Sequence, residues 1–258
     1  MILAVDIGNT NIVVGGFSSD DDKMVFVERI STDTSKTELE YVVMFHALID
    51  IYGITMNQFK GAIISSVVPP LNNIIKSAIK KFFYIDALLV GPGLKTGINI
   101  RMDNPSSVGA DLIVNAVAGL KKYGYPLIMI DMGTATTVSV LDDKKNYIGG
   151  TIMPGVRVSL DSLVNRTSQL PKISLEAPDT VIGKNTVDCM KSGIIMGQAS
   201  SMDGMIDRIW KELGYTTKVV ATGGLAPKII PNCVHDIIID DELTLIGLKI
   251  IYEKNQKD

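Results

Sequence analysis

The chain has 258 residues, enough for one large domain or two of ordinary size with a core that needs no staples. Hydrophobic residues make up 46% and charged residues 21%, which excludes disordered and fibrous classes. With 25 basic and 28 acidic side chains the net charge is −3, so nothing here offers a basic footprint to nucleic acid or an anionic membrane.

Two cysteines, Cys189 and Cys233, are too few for a disulfide framework or a structural zinc site. Two histidines leave little room for imidazole-based metal or triad chemistry. The chemistry is therefore expected from carboxylates, hydroxyls and backbone amides. Cys189 falls on a predicted helix and reads as a buried small hydrophobe. The N-terminus lacks a basic n-region and a cleavage site, and no apolar run approaches the roughly 18 residues of a membrane span, so the reading is cytoplasmic, with no membrane partner.

In chain order, Leu3 to Val14 is a β-branched run interrupted by polar turn residues, and Ile128 to Ser139 repeats its layout. Asp6 matches Asp131, Gly8 matches Gly133 and Val13 matches Val138, each copy reading as strand, Gly-containing turn, strand. Thr37 to Tyr52 reads as a helix with apolar Leu39, Val42, Val43, His46, Ile49 and Tyr52, stopped by Gly53. Gly61 to Val68 reads as a buried strand, and Pro70 opens a second helix. A further helix begins near Gly109. After the second hairpin come a strand over Tyr147 to Ile152, helices over Val156 to Arg166 and Thr186 to Leu213, a strand over Val219 to Thr222, and a closing helix from about Glu242 to Glu253. Gly193 and Gly197 on the long helix suggest close helix contact, internal or between subunits. The architecture expected is α/β with two similar halves, each opened by an Asp-x-Gly β-hairpin, divided into residues 1–115 and 116–258.

Four motifs carry candidate chemistry. In the first turn, a glycine lets backbone amides and the Asn9 and Thr10 side chains face a phosphate, with Asp6 available to Mg2+ directly or through water. An ordinary Asx-turn hairpin is the alternative, and the second copy favours phosphate binding. Gly223-Gly224 ends a strand, where bare backbone could receive a flat base or simply turn into a helix. Asp111 lies in the first helical turn after Gly109 and Ala110, where the helix dipole favours acids and would lower its pKa. That position suits either a helix cap or a well-placed weak base for phosphoryl transfer. There is no P-loop, and Gly91-Pro92-Gly93 is not a dinucleotide fingerprint.

Taken together, Asp6-Ile7-Gly8-Asn9-Thr10-Asn11, Ser65-Ser66-Val67-Val68-Pro69, Gly91-Pro92-Gly93, Gly109-Ala110-Asp111, Asp131-Met132-Gly133-Thr134-Ala135-Thr136, Gly183-Lys184-Asn185-Thr186 and Ala221-Thr222-Gly223-Gly224-Leu225 resemble type III pantothenate kinase. This family belongs to the superfamily of acetate and sugar kinases, heat-shock 70 proteins and actin. The resemblance implies two actin-like (ribonuclease H-like) halves and transfer of the γ-phosphoryl of ATP to pantothenate, giving 4′-phosphopantothenate, the first step toward coenzyme A. It implies that Asp6, Ile7, Gly8, Asn9, Thr10, Asn11, Ile12 and Val13 cradle ATP with Thr134, Gly223 and Gly224. Met102, Gly109, Ala110, Asp111 and Leu112 would form the pantothenate side, Asp111 being the base. Asp131 would hold K+ or NH4+, Mg2+ would accompany ATP, and Thr186 would reach the substrate of a neighbouring subunit, the long helix serving a homodimer. Two positions depart from the family pattern. Leu112 stands where the family usually has arginine and Met102 where it commonly has tyrosine, with Lys95 and Arg101 as candidate replacement cations. The rival readings are a non-catalytic accessory protein of the same fold and a kinase of another small alcohol.

Overall fold

The structure, a computed structural model, describes residues 1–18 and 23–256. In the first part of the chain, β1 (Ile2–Ile7), β2 (Asn11–Phe17) and β3 (Met24–Ser31) form an antiparallel meander. Next come α1 (Glu38–Ile51), β4 (Gly61–Ser66), α2 (Pro69–Phe83) and β5 (Ala87–Leu89). The sheet order is β3-β2-β1-β4-β5, with β4 parallel to β1 and β5 parallel to β4. A short strand β6 (Asn99–Ile100) and helix α3 (Ala110–Tyr123) follow.

The same plan then repeats. β7 (Leu127–Met132), β8 (Ala135–Leu141) and β9 (Asn146–Pro154) form the second meander, followed by α4 (Val156–Arg166), α5 (Thr186–Leu213), β10 (Lys218–Thr222), α6 (Ala226–Ile229), β11 (Ile238–Ile239) and α7 (Leu243–Lys254). The second sheet runs β11-β10-β7-β8-β9-β6, so its first five members reproduce the order and directions of the first sheet. Five strands in one unusual mixed order, occurring twice, bear out the expected duplication.

Alternation along the strands decides what each face buries. Leu3, Val5, Ile7, Ile12 and Val14 pack with Tyr41, Phe45, Ile75 and Ile79 of α1 and α2. Ala4 and Ile63 face the other way, toward Val114 and Val117 of α3 and Leu245, Leu248 and Ile251 of α7. In the second sheet, Ile128, Ile130, Val138 and Ala221 pack under α4, α5 and α6.

The structure divides into one unit comprising Met1–Ile98, Asp103–Ala118 and Leu243–Asp258, and another comprising Asn99–Met102 and Gly119–Glu242. This differs from a single cut after residue 115, because α7 returns to the first unit and its apolar residues complete that core. The boundary does fall inside α3, whose C-terminal part belongs to the second unit, with Gly119 close against Leu127 and Met129.

One expectation about a helix face is corrected, and one of two alternatives for another is set aside. On α1, Leu39 and Val43 are each 60% exposed, and the buried stripe is Tyr41, Phe45, Leu48 and Ile49. The aromatic residues take the core: Phe45 meets Phe83 edge-on and the Tyr41 hydroxyl donates to the Asp33 carbonyl at 2.9 Å. Gly193 and Gly197 make no internal close contact, since a Cβ at either would meet nothing within 4 Å. Strands β3, β5, β6 and β11 have no counterpart among the elements expected from sequence. Among the described residues, no helix is long and apolar enough to cross a membrane.

Helix α7 approaches α3 so closely that a Cβ on Gly247 would overlap the Val114 carbonyl oxygen, and Thr244 Oγ1 donates to Asn115 Oδ1 at 2.7 Å. Gly247→Ala should therefore cost about 1–3 kcal/mol through overpacking, although alanine's helix propensity would otherwise favour it by about 1 kcal/mol. Urea denaturation measures this, and unchanged or greater stability would contradict the close approach.

Candidate active site

The first hairpin ends in a turn where Gly8 N–H donates to the Asn11 carbonyl at 3.0 Å, leaving Asn9 and Thr10 exposed at its tip. A Cβ on Gly8 would stand 3.1 Å from that carbonyl, close enough that the turn would have to give by a few tenths of an ångström. Two neighbours hold the turn. Thr32, just after β3, donates its N–H to the Thr10 carbonyl at 3.0 Å and its hydroxyl to the Gly8 carbonyl at 2.6 Å. Val67 N–H, just after β4, donates to the Ile7 carbonyl at 3.0 Å.

Asp6 and Val13 are register partners on the face shared with Ala4. Ile7 and Ile12 point into the α1–α2 core at 0% exposure, so they can offer a ligand only their backbone. Asp6 also lies beside Ser65 of β4.

The second turn is one residue shorter. Six residues separate the partners Asp6 and Val13, whereas five separate Asp131 and Thr137. The structural counterpart of Val13 is therefore Thr137 rather than Val138, because the sequence repeat was aligned without the extra residue. Here Gly133 N–H donates to the Ala135 carbonyl at 3.1 Å, and Gly155, just after β9, donates its N–H to the Thr134 carbonyl at 3.2 Å. A Cβ on Gly155 would overlap that carbonyl. Thr134 is exposed at the tip.

Asp131 is flanked in register by Thr137 on β8 and Thr222 on β10. Gly223 follows Thr222 with φ +93°, and a Cβ there would come within 2.8 Å of Asp131 Oδ1 and of the Met132 backbone. Its carbonyl accepts from Ala226 N–H at 3.0 Å. Gly223 is thus a tight turn into α6 pressed against the second carboxylate, while Gly224 is exposed.

Asp111 lies in the first turn of α3, half-buried, with Oδ1 accepting from Leu112 N–H at 2.8 Å. A Cβ on Gly109 would sit 2.5 Å from that oxygen, so glycine makes the space for the carboxylate. Burial pushes the Asp111 pKa above the ordinary carboxylate value, outweighing the hydrogen bonds from the Leu112 and Asp111 N–H groups. This corrects the expectation that the helix dipole would lower it: loss of hydration wins. Ala110 and Leu112, on either side of Asp111, are partly buried.

Met102 lies in the second unit, its Sδ beside Gly149, where φ is +133°. Thr186 is the exposed first residue of α5, capped by Asn185, whose side chain accepts from Asp188 N–H at 3.0 Å. Cys189 is exposed rather than buried, in a first turn of α5 whose residues Thr186 and Val187 are exposed as well, with the Gly183 backbone close against it. Its thiol donates to the Gly183 carbonyl at 3.4 Å. Lys95 is held through its backbone by Asn255, and Arg101 lies within electrostatic reach of Asp142.

Thr32 and Gly155 carry no motif of their own in the sequence, and Ser65 enters only within Ser65-Ser66-Val67-Val68-Pro69. Thr32 and Gly155 both follow the third strand of a meander, and recognising β3 as a strand would have paired them.

A family model described as type III pantothenate kinase matches residues 2–208. A type III pantothenate kinase from Exiguobacterium sp. is 47% identical over 257 residues, covering 100% of both chains. One from Halalkalibacterium halodurans is 45% identical over 255 residues, covering 99% of this chain and 100% of its own. Among solved structures, a candidate 2-dehydro-3-deoxygalactonokinase from Sinorhizobium meliloti superposes with a TM-score of 0.61 at 11% identity, covering 100% and 98% of the two chains. A candidate Baf family transcriptional activator from Campylobacter jejuni gives 0.57 at 19%, covering 98% of each. These two speak for the fold alone. By the family match and the full-length relatives, the chain belongs to the type III pantothenate kinase family.

Proposed function

We infer that this chain phosphorylates pantothenate with ATP to give 4′-phosphopantothenate, the first step of coenzyme A synthesis. The observation that carries this reading is the 45–47% identity, over essentially the whole chain, to relatives named for that activity. A kinase of this family uses ATP with a divalent metal such as Mg2+. An accessory protein without turnover is not favoured, since Asp6, Asp111 and Asp131 are all present.

Asp111 is assigned as the general base. A carboxylate made more basic by burial is better matched to a hydroxyl proton than an ordinary aspartate. It accepts the proton as the pantothenate oxygen bonds to the γ-phosphorus and the bond to ADP breaks. Little proton driving force is needed in such a transfer, so positioning by Gly109 and the α3 N-terminus matters most. Gly109, Ala110 and Leu112, with Met102, are assigned to the pantothenate side.

The exposed turn tips Asn9, Thr10 and Thr134, with the partly buried Asn11, are assigned to the phosphates, and Gly223 and Gly224 to the nucleotide. Ile7, Ile12 and Val13 support the first turn. Mg2+ prefers one or two carboxylates plus phosphate oxygens, which the half-buried Asp6 at the strand end fits. Among the described residues no cluster of three or more His, Cys, Asp or Glu is assembled, so the ion would rest on Asp6 and the nucleotide. When bound, it neutralises charge on the transferring group. Asp131, between two threonines, is assigned to K+ or NH4+. A homodimer in which Thr186 reaches the neighbouring subunit's substrate, and a cytoplasmic location, complete the reading.

An assay of ADP release with ATP, Mg2+ and pantothenate, with and without K+, tests it directly. Turnover should require pantothenate and rise with K+, and Asp111→Asn should lower it by about 10²–10⁴-fold with nucleotide affinity nearly unchanged. ADP release indifferent to pantothenate would reject the acceptor.

The same variant should be more stable than the wild type at neutral pH. With its folded-state pKa raised, Asp111 binds more protons folded than unfolded between the unfolded value of about 3.9 and the raised one. Stability conferred by the protonated form is therefore present below that window and lost as pH rises through it. Thermal melts should show a gap at pH 7 that closes in acid. A helix-capping aspartate would give the opposite sign, with the asparagine variant less stable at neutral pH.

A further inference from the structure

Ser65, at the penultimate position of β4, is 0% exposed and its Oγ has no hydrogen-bond partner among the described residues. Its strand neighbours Ala62, Ile63 and Ile64 are buried and apolar, so an alanine or valine would meet the packing need without stranding a hydroxyl. The register shows where that hydroxyl lies. Ser65 pairs with Asp6 just as Ile63 pairs with Ala4, and the Ala4–Ile63 pair faces α3 and α7, so Ser65 and Asp6 stand side by side on that face. The strand order reverses at β1, with β2 and β3 on one side and β4 and β5 on the other, the switch point outside which α/β sheets bind ligands.

The second unit repeats the device: Thr222, on the strand equivalent to β4, pairs with Asp131. Both copies thus place a hydroxyl beside the hairpin carboxylate.

We propose that Ser65 is a positioning residue for the metal–nucleotide complex, its hydroxyl donating to the Asp6 carboxylate when that carboxylate turns to the divalent ion. The bond would fix the orientation of the carboxylate toward the ion or its water. The unpartnered hydroxyl of the ligand-free protein is then a cost in stability that is recovered on loading. This rests on the assignment of Asp6 to Mg2+ above.

The test uses Mn2+ as a paramagnetic probe with ADP, so that no turnover is involved. Electron paramagnetic resonance follows Mn2+ binding in the presence of ADP, and calorimetry follows ADP alone. Ser65→Ala should weaken Mn2+ binding about 10-fold, as expected for loss of a hydrogen bond to a charged group, and leave metal-free ADP affinity within about twofold. It should also raise the melting temperature of the ligand-free protein by about 2–4 °C. Ser65→Thr, the residue at the equivalent position 222, should restore Mn2+ binding. Unchanged Mn2+ binding in Ser65→Ala, an equal loss of ADP alone, or a Ser65→Thr protein as weak as the alanine variant would overturn the proposal. A wild-type protein that binds no Mn2+ with ADP overturns the assignment of Asp6 as well. Failure of Ser65→Ala alone, in a protein that still phosphorylates pantothenate, overturns only the role of Ser65.

Discussion

The opening strand of each sheet is shared between an antiparallel neighbour and a parallel one, and the site descends from that single constraint. At the carboxyl end of β1 the hairpin turns away toward β2 while β4 runs on into α2, so the last residues of β1 keep a lateral partner on both sides up to the turn. Asp6 occupies the last position but one of that strand, and Asp131 does so in β7. A carboxylate there belongs to the rigid sheet, while the turn beyond it is polar and exposed.

What surrounds each carboxylate is then fixed by close backbone approach. Gly223 must be glycine twice over, for its positive φ and for the space that Asp131 and Met132 occupy. Gly155 leaves room for the Thr134 carbonyl that it also binds, and Gly109 leaves room for the Asp111 carboxylate. These glycines do not lend flexibility. They let rigid elements come close enough to fix a side chain or a turn, which suits a transfer reaction in which positioning outweighs acid–base strength.

The duplication was legible because Asp-x-Gly between β-branched runs is a local signal, and helices such as Thr186 to Leu213 were legible from their length and from the asparagine and glycine at their ends. Local signals failed where tertiary packing decided the outcome. Leu39 and Val43 have the right polarity for a core but lost it to the larger Tyr41 and Phe45. Strand β3 alternates buried Phe26 with exposed Val25 and Val27, a pattern that its apolar outer face disguises. The pKa of Asp111 could not be read from its place on a helix, since burial, a property of the whole unit, opposes and exceeds the local effect. Ser65 was quoted only as part of a motif, because an orphaned hydroxyl exists only once neighbouring strands are in register.

The central claim is that a carboxylate made more basic by burial, Asp111, takes the proton from the pantothenate hydroxyl. The pH dependence of kcat/KM for pantothenate tests it most directly, compared between the wild type and Asp111→Asn so that titration of the substrates cancels. The account predicts an acidic limb in the wild type with its midpoint above the ordinary carboxylate value of about 3.9, absent from the residual activity of the variant. An identical limb in both proteins, or wild-type activity that stays flat down to that value, would contradict it.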